Sequence, residues 1–506
     1  MPVIVLATIN ARYYHTALGL RYLAANMGAL EKDTQIMEFI LQHKPEDIVE
    51  ALLASQPKIV GFGVYIWNVE ETTKVVAQLK QVAPDIVVVL GGPEVSYECN
   101  EQPIVQRADY VITGWGDVSF PKLCRELLAH RPQAQKIIVG EQPPLSTLKL
   151  PYALYTDVDI AQRLIYVEAS RGCPFKCEFC LSSLDKTAWA FDLDLFLNEM
   201  AMLYTRGARQ FKFVDRTFNL NIKASSRILE FFLARMDEKL FVHFEVIPDH
   251  LPEPLKILIA RFPPGVLQFE IGIQTLNPEV QALVSRKQDT PKAAANLHWL
   301  RTQSHAHIHA DLIIGLPGED MQSFAQGFDQ LVEIGPHEIQ VGILKRLRGT
   351  PIVRHTEYFQ MRYNPHSPYN ILSTSCIDFL SMQRLSRFAR YWDLIANSGR
   401  FPSTLPIVLG TAPFERFITL SDWLYAKTQQ THQIALERLF DLLHTALSST
   451  LNISVEEATA ALAHDYMLSG ARGAPKFLEA IKQSTRPAPS KKKLSHATRQ
   501  ARHGIA

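Results

Sequence analysis

No apolar stretch of the chain approaches the ~18 residues that a membrane-spanning helix needs. Charge of one sign is missing too: 52 Lys and Arg face 51 Asp and Glu, a formal net charge of +1. Such a balance selects neither nucleic acid nor an acidic membrane surface as partner. The run Val3–Ala7 is too short for the apolar region of a secretory signal, and no basic segment precedes it. The expected compartment is therefore the cytoplasm, where thiols stay reduced. A disulfide framework is excluded with it, since only six cysteines occur in 506 residues. At 47% hydrophobic and 20% charged residues, wholesale disorder and collagen are excluded as well. What is present is a long globular chain with room for about two to four domains.

Residues 1–140 alternate apolar runs (Val3–Ala7, Ile59–Val64, Ile86–Leu90 and Tyr110–Thr113) with helical spacing, as in Ala17–Met27 and Val69–Val82. Near-continuous β-branched strands between helices predict an α/β fold: an N-terminal Rossmann-like, doubly wound parallel sheet. Such sheets bind ligands at the carboxyl ends of their strands. Gly61, Gly63, Gly91, Gly92, Gly114 and Gly116 fall there, where glycine lets backbone approach a ligand. Residues 141–163, with Pro143, Pro144 and Pro151, read as a linker. Over 164–352 the alternation restarts, with strand-like runs at Leu164–Glu168, Phe211–Val214, Val242–Ile247, Leu267–Ile273, Ile308–Ile314 and Glu338–Leu344. Six βα units in a row predict a partial (β/α)6 TIM-type barrel, with its chemistry at the strand C-terminal ends. Residues 353–484 form a helical C-terminal module. The tail 485–506 carries Arg486, Lys491, Lys492, Lys493, Arg499 and Arg502 and no acid. It reads as a disordered solubilising end or as a dock for nucleic-acid phosphates.

The sharpest signal is Arg171-Gly-Cys-Pro-Phe-Lys-Cys-Glu-Phe-Cys180, directly after the first barrel strand. Cys173, Cys177 and Cys180 can hold three irons of a [4Fe–4S] cube and leave the fourth iron open to a ligand. Thiolates suit zinc equally, but a closed zinc site takes four ligands, usually as two pairs. No second pair is present, and no histidine lies nearer in sequence than His130 or His243.

This spacing after a barrel strand resembles the radical S-adenosylmethionine (SAM) enzymes. The resemblance implies that the open iron binds the amino and carboxylate groups of SAM. One electron then cleaves the sulfonium to a 5′-deoxyadenosyl radical, which implies a flavodoxin- or ferredoxin-type reductant as partner. Glu245-Val-Ile-Pro248 resembles the acidic position near the SAM amino group. Glu270-Ile-Gly-Ile-Gln-Thr275 resembles the family's fourth-strand motif, and Asp311-Leu-Ile-Ile-Gly-Leu-Pro-Gly-Glu319 its fifth-strand turn. Gln274, Arg286 and Asp311 follow the spacing of SAM contacts in coproporphyrinogen-dehydrogenase-like members. An Arg286 fork suits a carboxylate. Glu245, Gln274 and Asp311 can accept from an ammonium or from ribose hydroxyls. Asp215, Arg216 and Asn219, in Val214-Asp-Arg-Thr-Phe-Asn219, either meet SAM or substrate at the rim or cap the next helix. Lys345 and Arg348 either bind an anionic substrate or are solvated.

The N-terminal sheet, with Leu90-Gly-Gly-Pro-Glu94 and Thr113-Gly-Trp-Gly-Asp117, resembles the cobalamin-binding branch of these enzymes. The implied cobalamin contacts are Thr8, Asn10, Tyr65, Trp67, Gly91, Gly92, Pro93, Glu94, Gly114 and Gly116. The D-x-H-x-x-G loop that supplies an axial histidine elsewhere is missing; His15 either contacts cobalamin or is a structural, partly buried residue. The fourth turn has Gly-Trp-Gly-Asp where Gly-Glu-Gly-Glu is common. Residues 353–484 resemble the C-terminal module of the DUF4080-containing subgroup. The resemblance implies methyl transfer to an unactivated carbon or phosphorus, with one SAM methylating cobalamin and a second producing the substrate radical. A radical enzyme without methyl transfer, and a non-catalytic cobalamin sensor or carrier, are the alternatives. The substrate carries no signature in the sequence.

Overall fold

The computed structural model describes residues 2–185, 187–471, 473–478 and 499–503. They form two compact units: residues 1–245 with 345–354 and 363–370, and residues 246–344 with 355–362 and 371–506. Among the described residues no helix is long and apolar enough to cross a membrane.

The first unit opens with a six-stranded, all-parallel sheet. Its strands are β1 (Ile4–Asn10), β2 (Thr34–Ile40), β3 (Ile59–Gly63), β4 (Val87–Gly91), β5 (Tyr110–Thr113) and β6 (Ile137–Val139), in the order β2-β1-β3-β4-β5-β6. The two faces of β1 explain its unbroken apolar run. Val5, Ala7 and Ile9 pack with Ile48, Leu52, Val75, Val76 and Leu79 of helices α2 (Pro45–Ala54) and α3 (Val69–Val82). Ile4 and Leu6 pack on the other face with Leu20 and Ala24 of α1 (Leu18–Ala25) and with Phe120 and Leu123 of Ser119–Leu128. A strand buried on both sides has no polar alternation to show.

Two strands escape the sequence reading. In β2, Gln35 and Glu38 interrupt the apolar run, and β6 is only three residues long. Glu38 is tolerated because it is buried among cations: its carboxylate takes Arg21 at 2.9 Å and Arg163 at 2.7 Å, and both arginines also pair with Asp159 at 2.9 Å. A buried carboxylate needs such partners. Asp159 comes from Asp157–Gln162, a helix closed at its start by a Thr156–Asp159 capping box. Residues 141–163 therefore hold more than a bare connection.

The same unit continues with parallel strands β7 (Ile165–Val167), β10 (Gln210–Phe213) and β11 (Phe241–Val246). Between β7 and β10 a short antiparallel pair, β8 (Ser170–Arg171) and β9 (Trp189–Ala190), brackets the cysteine loop. In the second unit, β12 (Leu267–Gln274), β13 (His307–Ile314) and β14 (Glu338–Ile343) pair in parallel. All six predicted barrel strands are thus present. The helical module follows, with Phe388, Trp392, Phe414 and Phe417 in edge and tilted ring contacts, and Phe328 of the preceding barrel segment packs edge-on against Phe388 and Trp392.

The reading of 485–506 as a disordered tail is corrected in part. Arg499–His503 is helical, and Arg499 pairs with Glu338 and Asp393 at 2.8 Å each. Buried Glu338 supplies the counter-charge that composition cannot reveal. Residues 485–498 and 504–506 lie outside the described residues.

Candidate active site

Cys173, Cys177 and Cys180 sit on one loop whose backbone is tied at several points. The Cys180 N–H donates to the Cys177 carbonyl at 3.1 Å. The Ser183 hydroxyl reaches the Cys177 and Cys180 carbonyls at 3.0 and 2.6 Å. Between the cysteines, the Glu178 carbonyl accepts from Ile352 N–H at 3.0 Å, and the buried Glu178 carboxylate takes Arg354 at 2.5 Å. Gly172 enters the loop at φ +92, where a Cβ would lie 2.2 Å from the Thr187 carbonyl. Only glycine fits that turn.

Burial pushes the Cys173 thiol up to about 11; the Phe175 N–H and Arg216 pull it down, while Cys180 and Cys177 push it further up. The three cysteines stand within eight residues on this one loop. Among the described residues, no group of three His, Cys, Asp or Glu is arranged to hold a single metal ion. A four-iron cube makes a different demand, taking each thiolate at a separate corner. The donor set fits that group.

Asp215 does not face the cavity described below, and the cap of the next helix is Asn221. Its buried carboxylate instead accepts from Ala169 N–H at 3.0 Å and Ser170 Oγ at 2.5 Å, fixing the start of the cysteine loop. Burial pushes it up to about 7. In the second unit Glu319 is likewise pushed up to about 7 by burial, with Thr275 Oγ1 at 2.5 Å. A carboxyl raised on folding stabilises the protein fully below its unfolded pKa, and that stability is lost as pH rises through about 7. From the Asp215 shift the loss is about 4 kcal/mol. Urea unfolding of wild-type protein is thus expected to weaken from pH 5 to pH 8, and Asp215→Asn to remove about half of that slope. An unchanged slope in Asp215→Asn would assign the pH dependence elsewhere.

The carboxyl ends of β1, β3, β4 and β5 open into a cavity of about 720 Å3. Asn10, Tyr65, Trp67, Gly91, Gly92, Gly114 and Gly116 line it, as does His15. Tyr65 and Trp67 are stacked at 4.4 Å and 7°. At Gly114, φ +69, a Cβ would meet nothing within 4 Å, so the turn leaves open space. Gly92 takes φ +108, where a Cβ would be 2.5 Å from the Val64 carbonyl. These glycine turns with flat aromatic walls fit a macrocycle approached by backbone. His15 Nδ1 lies 2.8 Å from the Tyr166 hydroxyl, and its carbonyl takes Asn10 Nδ2 at 3.0 Å.

Three expected cobalamin contacts lie elsewhere. Thr8 donates to the Gly63 carbonyl at 2.8 Å and is buried under the sheet end. Pro93 and Glu94 are not among the residues that line the cavity. Glu94 is buried against Arg348 at 2.8 Å and the Tyr369 hydroxyl at 2.9 Å. Arg348 also pairs with Glu98 at 3.0 Å, so its charge is neutralised inside the protein.

Sequence reasoning missed Arg171 and its partners. Its guanidinium pairs with Glu168 at 2.7 Å and Asp117 at 3.0 Å, and lies over the rings of Tyr22 at 4.6 Å and Trp115 at 4.7 Å. All five line the cavity. The unusual Gly-Trp-Gly-Asp turn is thereby explained: both of its side chains grip the residue that leads into the cysteine loop.

Of the expected SAM contacts, Glu245 ends β11 and accepts from Arg216 Nη1 at both oxygens, 2.8 Å each. Within the second unit, Gln274, Arg286 and Asp311 gather around Gly272. Gln274 closes β12 at φ +71, beside a register shift, and Asp311 stands opposite Gly272 on β13. Arg286 donates to the Gly272 carbonyl and to Gln288 Oε1. A Cβ on Gly272 would lie 2.4 Å from Gln274 Nε2. A left-handed glutamine marks strain, which concentrates at functional sites.

Three family models match the chain in succession: the B12 binding domain over residues 4–124, the Radical SAM superfamily over 167–331, and the protein of unknown function DUF4080 over 357–503. The "uncharacterized methyltransferase PH0819" of Pyrococcus horikoshii is 26% identical over 331 residues, 60% of this chain and 70% of that protein. The cobalamin-dependent radical SAM methyltransferase TokK of Streptomyces tokunonensis is 22% identical, over 57% of this chain and 47% of TokK. The 2-(S-pantetheinyl)-carbapenam-3-carboxylate methyltransferase of Streptantibioticus cattleyicolor is 24% identical, over 56% and 46%. The chain thus spans about half the length of these last two relatives. Among solved structures, TsrM of Kitasatospora setae, with cobalamin and a [4Fe–4S] cluster bound, has a TM-score of 0.57 at 16% identity, covering 76% of this chain and 83% of TsrM. The cobalamin-dependent SAM radical enzyme OxsB reaches 0.58 at 12% identity, over 96% and 81%. The chain thus carries a B12 binding domain, a Radical SAM domain and a DUF4080 module in succession, and the cofactors that these domains imply are a [4Fe–4S] cluster, SAM and cobalamin.

Proposed function

We propose that the protein is a methyltransferase acting on an unactivated carbon or phosphorus centre. The observation that carries this reading is Arg171, which stands in the wall of the glycine-turned cavity only two residues before Cys173. Arg171 thus links the cavity wall to the start of the cysteine loop, as a reaction using both would require. The names of three sequence relatives, all methyltransferases, support it.

When bound, the cluster supplies the electron for SAM cleavage, and cobalamin supplies a methyl carrier. The chain's own residues hold and orient. Cys173, Cys177 and Cys180 take the cluster. Within the second unit, Arg286 would offer its fork to a SAM carboxylate, and Gln274 and Asp311 would accept from ribose hydroxyls; within the first, Glu245 would accept from an ammonium. Asn10, Tyr65, Trp67 and the turns at Gly91, Gly92, Gly114 and Gly116 hold cobalamin. In this division residues 1–140 serve cobalamin, 164–352 serve the cluster and SAM, and 353–484 select the substrate. A flavodoxin- or ferredoxin-type donor supplies the electron.

The test is anaerobic protein with cobalamin, SAM, a low-potential reductant and a small-molecule extract. Both S-adenosylhomocysteine and 5′-deoxyadenosine are expected, with one extract species gaining the mass of a CH2 unit. 5′-Deoxyadenosine without S-adenosylhomocysteine would overturn methyl transfer and leave a radical enzyme of another kind.

A further inference from the structure

The sheet order β2-β1-β3-β4-β5-β6 puts its switch point between β1 and β3, where successive connections run to opposite sides. A ligand crevice opens at such a point, outside the carboxyl ends of the strands. His15 stands there, on the loop from the end of β1 at Asn10 to the start of α1 at Leu18, and it is the one histidine among the residues that line the cavity. That loop is held from two directions. Asn10 Nδ2 donates to the His15 carbonyl at 3.0 Å, and Arg163 donates to the same oxygen. Arg163 Nε also donates to the Tyr13 carbonyl at 2.8 Å, and the Leu164 N–H to the Tyr14 carbonyl at 3.0 Å. The imidazole is therefore presented on a fixed backbone.

Its two ring nitrogens differ. Nδ1 lies 2.8 Å from the hydroxyl of Tyr166 on β7. Among the described residues Nε2 takes no hydrogen bond. A neutral imidazole carries one N–H and one lone pair. With the Nδ1–H donated to Tyr166, the lone pair sits on Nε2. Metal-ligating histidines are built this way: the second nitrogen donates to a fixed acceptor, which sets the tautomer and the orientation of the ring.

Resting on the reading of this cavity as the cobalamin site, we propose that His15 is an axial ligand of the cobalt through Nε2, oriented by Tyr166. One nitrogen replaces another. The bond from cobalt to the cofactor's own benzimidazole breaks, that base leaves with its lone pair, and Nε2 donates a lone pair in its place. No electron or proton is transferred. A nitrogen bound on one face of the corrin leaves the opposite face to carry the methyl group.

Electron paramagnetic resonance of cobalt(II) cobalamin reads the ligand without turnover, because an axial nitrogen splits the cobalt lines, nitrogen-14 into triplets and nitrogen-15 into doublets. Anaerobic full-length protein carrying nitrogen-15 histidine is loaded with unlabelled cobalt(II) cobalamin, and retention is measured by equilibrium dialysis. Doublets are expected. Triplets would mean that the cofactor's own base stays bound, and unsplit lines that no nitrogen does; either overturns the proposal and leaves the cavity reading intact. Failure to retain cobalamin removes that reading, and the ligand with it. His15→Phe should bind cobalamin about tenfold or more weakly and lose the doublets. Doublets that persist in it assign the bond to another histidine and overturn the proposal. The labelled wild-type spectrum decides the matter whether or not His15→Phe folds. Tyr166→Phe, which removes only the acceptor, should keep the doublets with an altered splitting; an unchanged spectrum strikes the orienting role of Tyr166.

Discussion

Anaerobic Cys177→Ala protein, supplied with iron and sulfide, is expected to form 5′-deoxyadenosine at least ~10³-fold more slowly than wild type, at background. Two thiolates leave two corners of the cube without protein ligands, and the cluster is not retained. The loop itself should survive the change. Its backbone is held by Ser183 on the Cys177 and Cys180 carbonyls and by Ile352 on Glu178, none of which uses the Cys177 sulfur. Unchanged circular dichroism with lost iron and lost visible cluster absorption would trace the defect to the missing ligand; wild-type product yield would remove the cluster assignment. The wild-type loop adds a second signature. With the Cys173 thiol pushed up to about 11 by burial, iron loading must displace a tightly held proton. Cluster incorporation should therefore improve as pH rises from 7 to 9, since metal binding releases protons.

The cysteine trio was legible because its chemistry is local: three ligands fall within eight residues, and their spacing survives without any knowledge of the fold. The barrel strands were legible for a related reason. In Leu267–Gln274 and His307–Ile314 buried apolar residues recur at every second position, a strand pattern set between helical segments. Reading failed where a residue's meaning depends on a distant partner. Glu38 breaks the apolar pattern of β2, yet it is buried because Arg21 and Arg163 meet it there, the latter 125 residues away. The resemblance implies Glu94 as a cobalamin contact, whereas Arg348, 254 residues on, takes its charge. Thr8 occupies the right strand end, but the Gly63 carbonyl claims its hydroxyl. Asp117 and Trp115 looked like departures from a glycine-acid turn; their purpose is visible only beside Arg171. Resemblance points to segments of the chain, whereas the pairing of buried charges is visible only in three dimensions.

Arg171→Ala should destabilise the protein by about 3–5 kcal/mol, because it leaves Glu168 and Asp117 without their shared cation in a buried wall. Burial already raises Glu168, with the neighbouring Asp117 charge pushing the same way and Arg171 opposing both. Without the guanidinium at least one of the two acids must take up a proton. The loss also strips contacts from Tyr22 and Trp115, each worth about 0.5–2 kcal/mol as a cation–π pair. Arg171→Lys should recover only part of the loss, since an ammonium cannot pair and stack as a planar fork does. Exchanging all three charges together, as Arg171→Met with Glu168→Gln and Asp117→Asn, should restore most of the stability, for a buried charge group is costly mainly when broken. That triple variant separates two roles of Arg171. If the residue only balances charge, the triple variant regains cobalamin binding and cluster content along with its unfolding midpoint. If it also aligns the Gly114–Asp117 turn with the cysteine loop, stability returns while the loaded protein stays slow to form either SAM product. A single Arg171→Ala variant that unfolds within 1 kcal/mol of wild type, by urea titration of anaerobic protein, would mean that these carboxylates find water instead, and that the link between corrin cavity and cluster loop is not carried by Arg171.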